Sequence, residues 1–137
     1  MIGLSALVLG ALVQSVLPPA RSLDKGAQSN QSTTRQVAVR DSGEWASTWR
    51  QHAPDRPQPA VDFSREMVIG VFLGTRPTAG FAVEIVGYRE NGEDVVVQYR
   101  ESAPSRDAIT AQVLTSPYHL VVIPKRTGNV TFEKAKT

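Results

Sequence analysis

Asn91-Gly92 separates two strand-like runs, Phe81 to Arg89 (FAVEIVGYR) and Asp94 to Glu101 (DVVVQYRE). An Asn-Gly pair readily takes the positive φ angles of a type I′ turn, so this spacing predicts a β-hairpin. In the first run Phe81, Val83 and Ile85 share one face, the period of a half-buried strand. The hairpin needs further strands to cover its apolar side, and the flanking sequence offers them. Met67 to Leu73 (MVIGVFL) is a short continuous apolar run suited to a central strand. Gln36 to Arg40, Ala108 to Leu114, Tyr118 to Ile123 and Asn129 to Glu133 complete the set, the last as an edge strand. Six or seven short strands with frequent Pro and Gly between them predict a mainly β chain. The expected architecture is an antiparallel β-sandwich or open barrel.

One short N-terminal α-helix interrupts the β pattern. Asp41 stands three residues before Glu44, as in a capping box with Asp in the Ser/Thr position. Trp45 and Trp49 follow four apart, with Ala46 and Ala53 nearby, so one helix face is apolar and packs on the core. Pro54, Pro57 and Pro59 end the helix and impose an extended connection.

Residues 1–20 read as a signal peptide or N-terminal anchor. Met1 to Leu17 carry no charge, and the apolar run is shorter than the roughly 20 residues a bilayer span needs. Val13 and Ser15 fit the small-residue rule for a cut after Ser15; a cut after Ala20 puts Pro18 in a poor position. Residues 21–35 (RSLDKGAQSNQSTTR) are polar and without period, the composition of a flexible linker. The folded domain is then expected over residues 36–137, and the chain is expected to be exported.

Composition excludes several functions. The chain has no cysteine, so disulfides, thiol catalysis and cysteine–zinc sites are ruled out. The net charge is only +2, and the basic residues are spread from Arg21 to Lys136, which argues against a nucleic-acid groove. His52 and His119 are the two histidines, and neither has a second ligand at metal spacing. Ser, His and Asp all occur, so counting leaves a catalytic triad open, but no GxSxG elbow is present. Glu84 and Glu101 on the hairpin fit a solvated sheet face better than a pair of glycosidase carboxylates. No Walker-type loop exists. No cofactor, metal or catalytic residue is therefore expected, and the chain reads as a non-enzyme.

The remaining feature is the connection Gly74-Thr75-Arg76-Pro77-Thr78-Ala79-Gly80-Phe81 between two strands. Its glycines permit unusual backbone angles, and Pro77 stiffens the middle and restricts Arg76. A preorganised loop loses little entropy on binding a partner. Arg76, Pro77, Thr78, Ala79, Gly80 and Phe81 are the candidate partner-binding residues. Composition alone is equally compatible with a tight connection that binds nothing.

The stretch VDFSREMVIGVFLGTRPTAGFAVEIVG, followed by PYHLVVIP, resembles the C-terminal domain family of the protease complex subunit PrcB. The matching residues are Asp62, Phe63, Gly74, Pro77, Thr78, Gly80, Phe81, Glu84 and Ile85, then Pro117, Tyr118 and Pro124. The similarity runs from about Val37 to Phe132. Phe81 stands where the family usually has Tyr, and Ala79 where Gly is common. The resemblance implies a bacterial, non-catalytic accessory subunit that associates with and stabilises an exported protease. More locally, the PTxGF element is similar to the first loop of chagasin-type inhibitors of papain-like cysteine proteases. Arg76 replaces their Asn, and no Arg-Pro-Trp third loop exists here. The expected partner is thus a protein, an exported protease first, with inhibition as the alternative. Nucleic acid is not expected, and membrane contact only through the N-terminal segment.

Overall fold

The computed structural model describes residues 20–136, so the segment read as a signal peptide or anchor, apart from Ala20, lies outside the described residues. Among the described residues seven strands and one helix follow in order: β1 (Arg21–Gly26), β2 (Arg35–Val39), α1 (Ser42–His52), β3 (Glu66–Phe72), β4 (Ala82–Asn91), β5 (Asp94–Ser102), β6 (Tyr118–Pro124) and β7 (Val130–Lys134). They form a four-stranded sheet, β1-β6-β3-β2, and a three-stranded sheet, β4-β5-β7. The two pack as a sandwich, and no closed barrel forms.

Strand periodicity explains how the first sheet serves two cores. Met67, Ile69, Val71 and Leu73 alternate with Val68 and Phe72 along β3, and all six are buried. The odd set joins Val121 and Ile123 of β6 against Val83, Ile85, Tyr88, Val95 and Val97 of the second sheet. The even set joins Leu120 and Val122 against Trp45 and Trp49 of α1 on the outer side. A strand buried on both faces has to be apolar throughout, hence MVIGVFL. The layers are helix, sheet, sheet.

Helix α1 begins as its sequence predicts. Asp41 accepts from the Glu44 N–H at 2.8 Å, and Glu44 Oε1 reaches back to the Arg40 N–H at 3.3 Å. The tryptophans lie on the core face with ring centroids 5.5 Å apart. Their indole N–H groups donate to Pro59 O and Arg56 O, so the proline-rich connection is bonded to the helix it terminates.

Four expectations need correction. Residues 21–35 are not a linker: β1 pairs antiparallel with β6 from Arg21↔Val122 to Gly26↔Tyr118, and Ala20 packs against the inter-sheet core. Polar residues suffice because β1 is an edge strand, where backbone pairing and one half-buried face hold it. The fold therefore starts before residue 36. Ala108 to Leu114 is not a strand: among the described residues it has no ladder partner, and Ile109, Val113 and Leu114 are exposed. The final edge strand β7 runs parallel to β5, not antiparallel. The hairpin turns on Gly92-Glu93, with Asn91 paired to Asp94. Gly92 has φ 64° and among the described residues no non-glycine residue has positive φ, so the turn is not type I′, which needs two such residues.

Candidate functional site

The loop between β3 and β4 is anchored along its length. Gly74 has φ 79°, and a Cβ there would stand 2.8 Å from the Thr34 backbone nitrogen, so only glycine fits. The Thr75 N–H donates to Ser32 O at 3.0 Å. Arg76 forms an isolated antiparallel bridge with Thr115, through bonds of 2.7 and 3.0 Å. The Ala79 N–H donates to Ala111 O at 3.0 Å, and the Thr115 hydroxyl donates to Thr78 O at 2.9 Å. Thr78 spends its own hydroxyl on Ala79 O. Segments 32–34 and 111–115 thus clamp the loop from both sides.

The six candidate residues divide by exposure. Pro77 and Gly80 are exposed, and Arg76, Thr78, Ala79 and Phe81 are half-buried. Thr78 and Ala79 are occupied in holding the loop. Arg76 and Phe81 instead line an open groove together with Glu101, Lys134, Ala135 and Lys136. Arg76 bonds Leu73 O through Nη1 at 3.0 Å, while its Nη2 lies 3.9 Å from Glu101. Lys134 sits 3.1 Å from the same carboxylate. The sequence identifies the loop side of this groove. It does not identify Glu101, Lys134 or Lys136, which arrive from β5 and the C-terminal segment.

A second cluster surrounds His52, whose side chain is fully buried. Its Nε2 lies 2.9 Å from Asp24 Oδ2, and its Nδ1 lies 2.7 Å from Ser29 Oγ. Ser29 Oγ also accepts from the Gln31 N–H at 3.0 Å. Arg56 and the Tyr118 hydroxyl donate to the same Asp24 at 2.7 and 2.9 Å. Burial pushes the His52 pKa down, against the pull of Asp24, which favours a neutral ring. Burial would raise the Asp24 pKa, but hydrogen bonds from Arg56, His52 and Tyr118 outweigh it and hold the carboxyl low. A neutral ring then donates to Asp24 from Nε2 and accepts the Ser29 hydroxyl at Nδ1.

Asp, His and Ser are brought together here, yet the arrangement suits bracing better than acyl transfer. Ser29 is buried, and its oxygen is already engaged by the Gln31 N–H and by His52 Nδ1. The cluster ties β1 and the following turn to α1. Sequence spacing gives no hint of it, because Asp24 and Ser29 lie 28 and 23 positions from His52.

His119 is placed elsewhere, between the sheets. Its Nδ1 accepts the Ile85 N–H at 2.9 Å, and Nε2 contacts Ser22 Oγ at 2.9 Å. Glu84 and Glu101 do not form a pair. Glu101 lies opposite Val83, the neighbour of Glu84, so the two carboxylates project to opposite faces of the sheet. Among the described residues no cluster of three metal-binding side chains occurs, and no helix is long and apolar enough to cross a membrane.

No curated protein and no solved structure significantly matches the chain. Residues 67–124 match the family described as PrcB C-terminal. That span contains β3 apart from Glu66, the clamped loop, the β4–β5 hairpin and β6, and leaves β1, β2, α1 and β7 outside the match. Over residues 67–124 the chain is therefore similar to the PrcB C-terminal family, a match that supports the resemblance read from its sequence.

Proposed function

We propose that this chain is an exported, non-catalytic binding module that serves as an accessory, stabilising subunit of an extracytoplasmic protease. It engages the protease through Arg76, Pro77, Thr78, Ala79, Gly80 and Phe81. The observation that carries this reading is the clamping of the loop. Its backbone is bonded to Ser32, Ala111 and Thr115, while Pro77 and Gly80 face solvent and Arg76 and Phe81 open onto a groove. A loop fixed before contact pays little ordering entropy on association. The family supports a protease-complex partner. Both histidines are buried and spent on internal hydrogen bonds, which favours a binding role over acid–base catalysis.

The test is a pull-down of the source organism's envelope and secreted fractions with the chain as bait. A parallel bait carries Pro77→Ala and Gly80→Asp, with folding checked by circular dichroism. A protease enriched by the first bait, lost with the second and active in the eluate supports the accessory-subunit reading. Equimolar loss of papain-type activity on addition of the chain would point to inhibition instead. Recovery of the same proteins by both baits would remove the loop from the binding site.

A further inference from the structure

The groove beside the loop has a charge imbalance that specifies what it receives. Three cationic side chains, Arg76, Lys134 and Lys136, line it with one carboxylate, Glu101. Phe81, Ala103 and Ala135 supply its apolar floor. Glu101 divides its charge between Lys134 at 3.1 Å and Arg76 at 3.9 Å, the latter beyond hydrogen-bond range. Arg76 is held by its other nitrogen to Leu73 O, so its Nη2 is fixed in place without a close anionic acceptor among the described residues. A fixed guanidinium beside an apolar floor is a preformed receptor for a carboxylate next to an apolar side chain.

Resting on the reading of this end of the sandwich as the partner-binding end, we propose that the groove receives an extended acidic segment of the partner protein. An Asp or Glu side chain of that segment bonds Arg76 Nη2, and Lys134 and Lys136 flank it. A neighbouring apolar side chain covers Phe81. Glu101 is the internal stand-in for the incoming carboxylate: it steadies Arg76 and Lys134 in the free protein and competes with the ligand. The groove is open, so an internal stretch of chain can run through it, and a terminal carboxylate is not required.

The test is binding of the full chain to short synthetic peptides in which Asp or Glu adjoins Leu or Phe in a Ser/Gly background. Each has an Asn/Gln counterpart and a counterpart whose sole acid is a free C-terminal carboxylate. The internal acidic peptides should bind about five-fold or more tighter than their amide counterparts, as expected for one partly shielded charge pair. Binding should weaken as salt rises from about 0.05 M to about 0.5 M. Arg76→Gln and Lys134→Gln should each reduce it several-fold, whereas Glu101→Gln should strengthen it. Backbone amide shifts on titration should centre on Phe81, Ala103 and Ala135. Equal binding of acid and amide peptides, no binding to any peptide, preference for the C-terminal acid, or weakening by Glu101→Gln would each overturn the proposal. If those results appear while the pull-down remains loop-dependent, the accessory-subunit reading stands and only the acidic-segment inference falls.

Discussion

His119 Nδ1 accepts the backbone N–H of Ile85 at 2.9 Å, a bond from one sheet of the sandwich to the other. Ile85 lies on the edge strand β4, immediately before the register shift between Ile85 and Gly87, where its N–H has no strand to pair with. The bond fixes the tautomer, because an acceptor Nδ1 leaves the proton on Nε2, which donates to Ser22 Oγ at 2.9 Å. One buried imidazole thus joins β1, β6 and β4. Replacing His119 with Leu leaves the Ile85 N–H without that acceptor. A loss of about 1–3 kcal/mol in chemical denaturation is expected.

Stability should fall on mild acidification. Burial lowers the pKa of both His52 and His119 below the ordinary 6.5, so the unfolded chain binds more protons than the folded one as pH drops. Their contribution is complete above pH 6.5 and is lost as pH falls from there through the folded values. Asp24, held below its ordinary 3.8, adds a further loss at more acidic pH. Denaturation midpoints followed by tryptophan fluorescence should be insensitive to these groups between about pH 7 and 8 and decline below about 6.5. Histidine ring resonances in NMR should titrate with both midpoints below 6.5.

Ser29→Ala should act on stability and not on chemistry. It removes the 2.7 Å partner of His52 Nδ1 and the acceptor of the Gln31 N–H. The expected cost is about 1–3 kcal/mol. Ester and peptide hydrolysis by the purified chain should be absent before and after the change; hydrolysis that Ser29→Ala abolishes would identify a working triad.

Truncation separates the fold from its apparent sequence boundary. A chain starting at residue 36 lacks β1 and with it the pairing to Tyr118–Val122 and the Asp24 bonds to His52, Arg56 and Tyr118. It should lose its cooperative unfolding transition and bind hydrophobic dye, while a chain starting at residue 20 retains both cooperativity and a dry core.

Gly74→Ala should cost about 1–3 kcal/mol, since a side chain at φ 79° is strained and its Cβ meets the Thr34 backbone. The same change displaces the clamp at Ser32, so partner binding should weaken more than surface substitutions at Pro77 would by themselves. Parallel denaturation and pull-down measurements separate the two effects.

The strands legible in the sequence are those whose own side chains carry a burial pattern. Met67 to Leu73 had to be central because both faces are apolar, and Val83 and Ile85 mark an inner face by alternation. Segment Arg21–Gly26 has no such pattern; its membership rests on backbone pairing with β6 and on Asp24, whose partners are distant in sequence. Ala108 to Leu114 shows the converse. Its residues suit a strand, but among the described residues it joins no ladder, and strand propensity without a partner leaves an exposed segment with no regular structure. The loop Gly74–Phe81 could be read from its glycines and proline. The opposite wall of its groove could not, because Glu101 and Lys134 reach it through the parallel β5–β7 pairing, which no local signal announces.

The position of β1 also sets an order of events in folding. Ser22 and His119 touch across 97 positions of chain, whereas the β4–β5 hairpin closes locally. Loop-closure entropy makes the distant pairing slow and late, so β3, β4, β5 and β6 should assemble first and β1 dock last. Until it docks, the flank of β6 carrying Tyr118 to Val122 is a naked strand edge, able to pair with any passing extended chain. During synthesis the first strand waits, untied, for almost the whole domain to emerge. The species most open to aggregation should therefore be the loosely packed chain whose first strand has not yet docked.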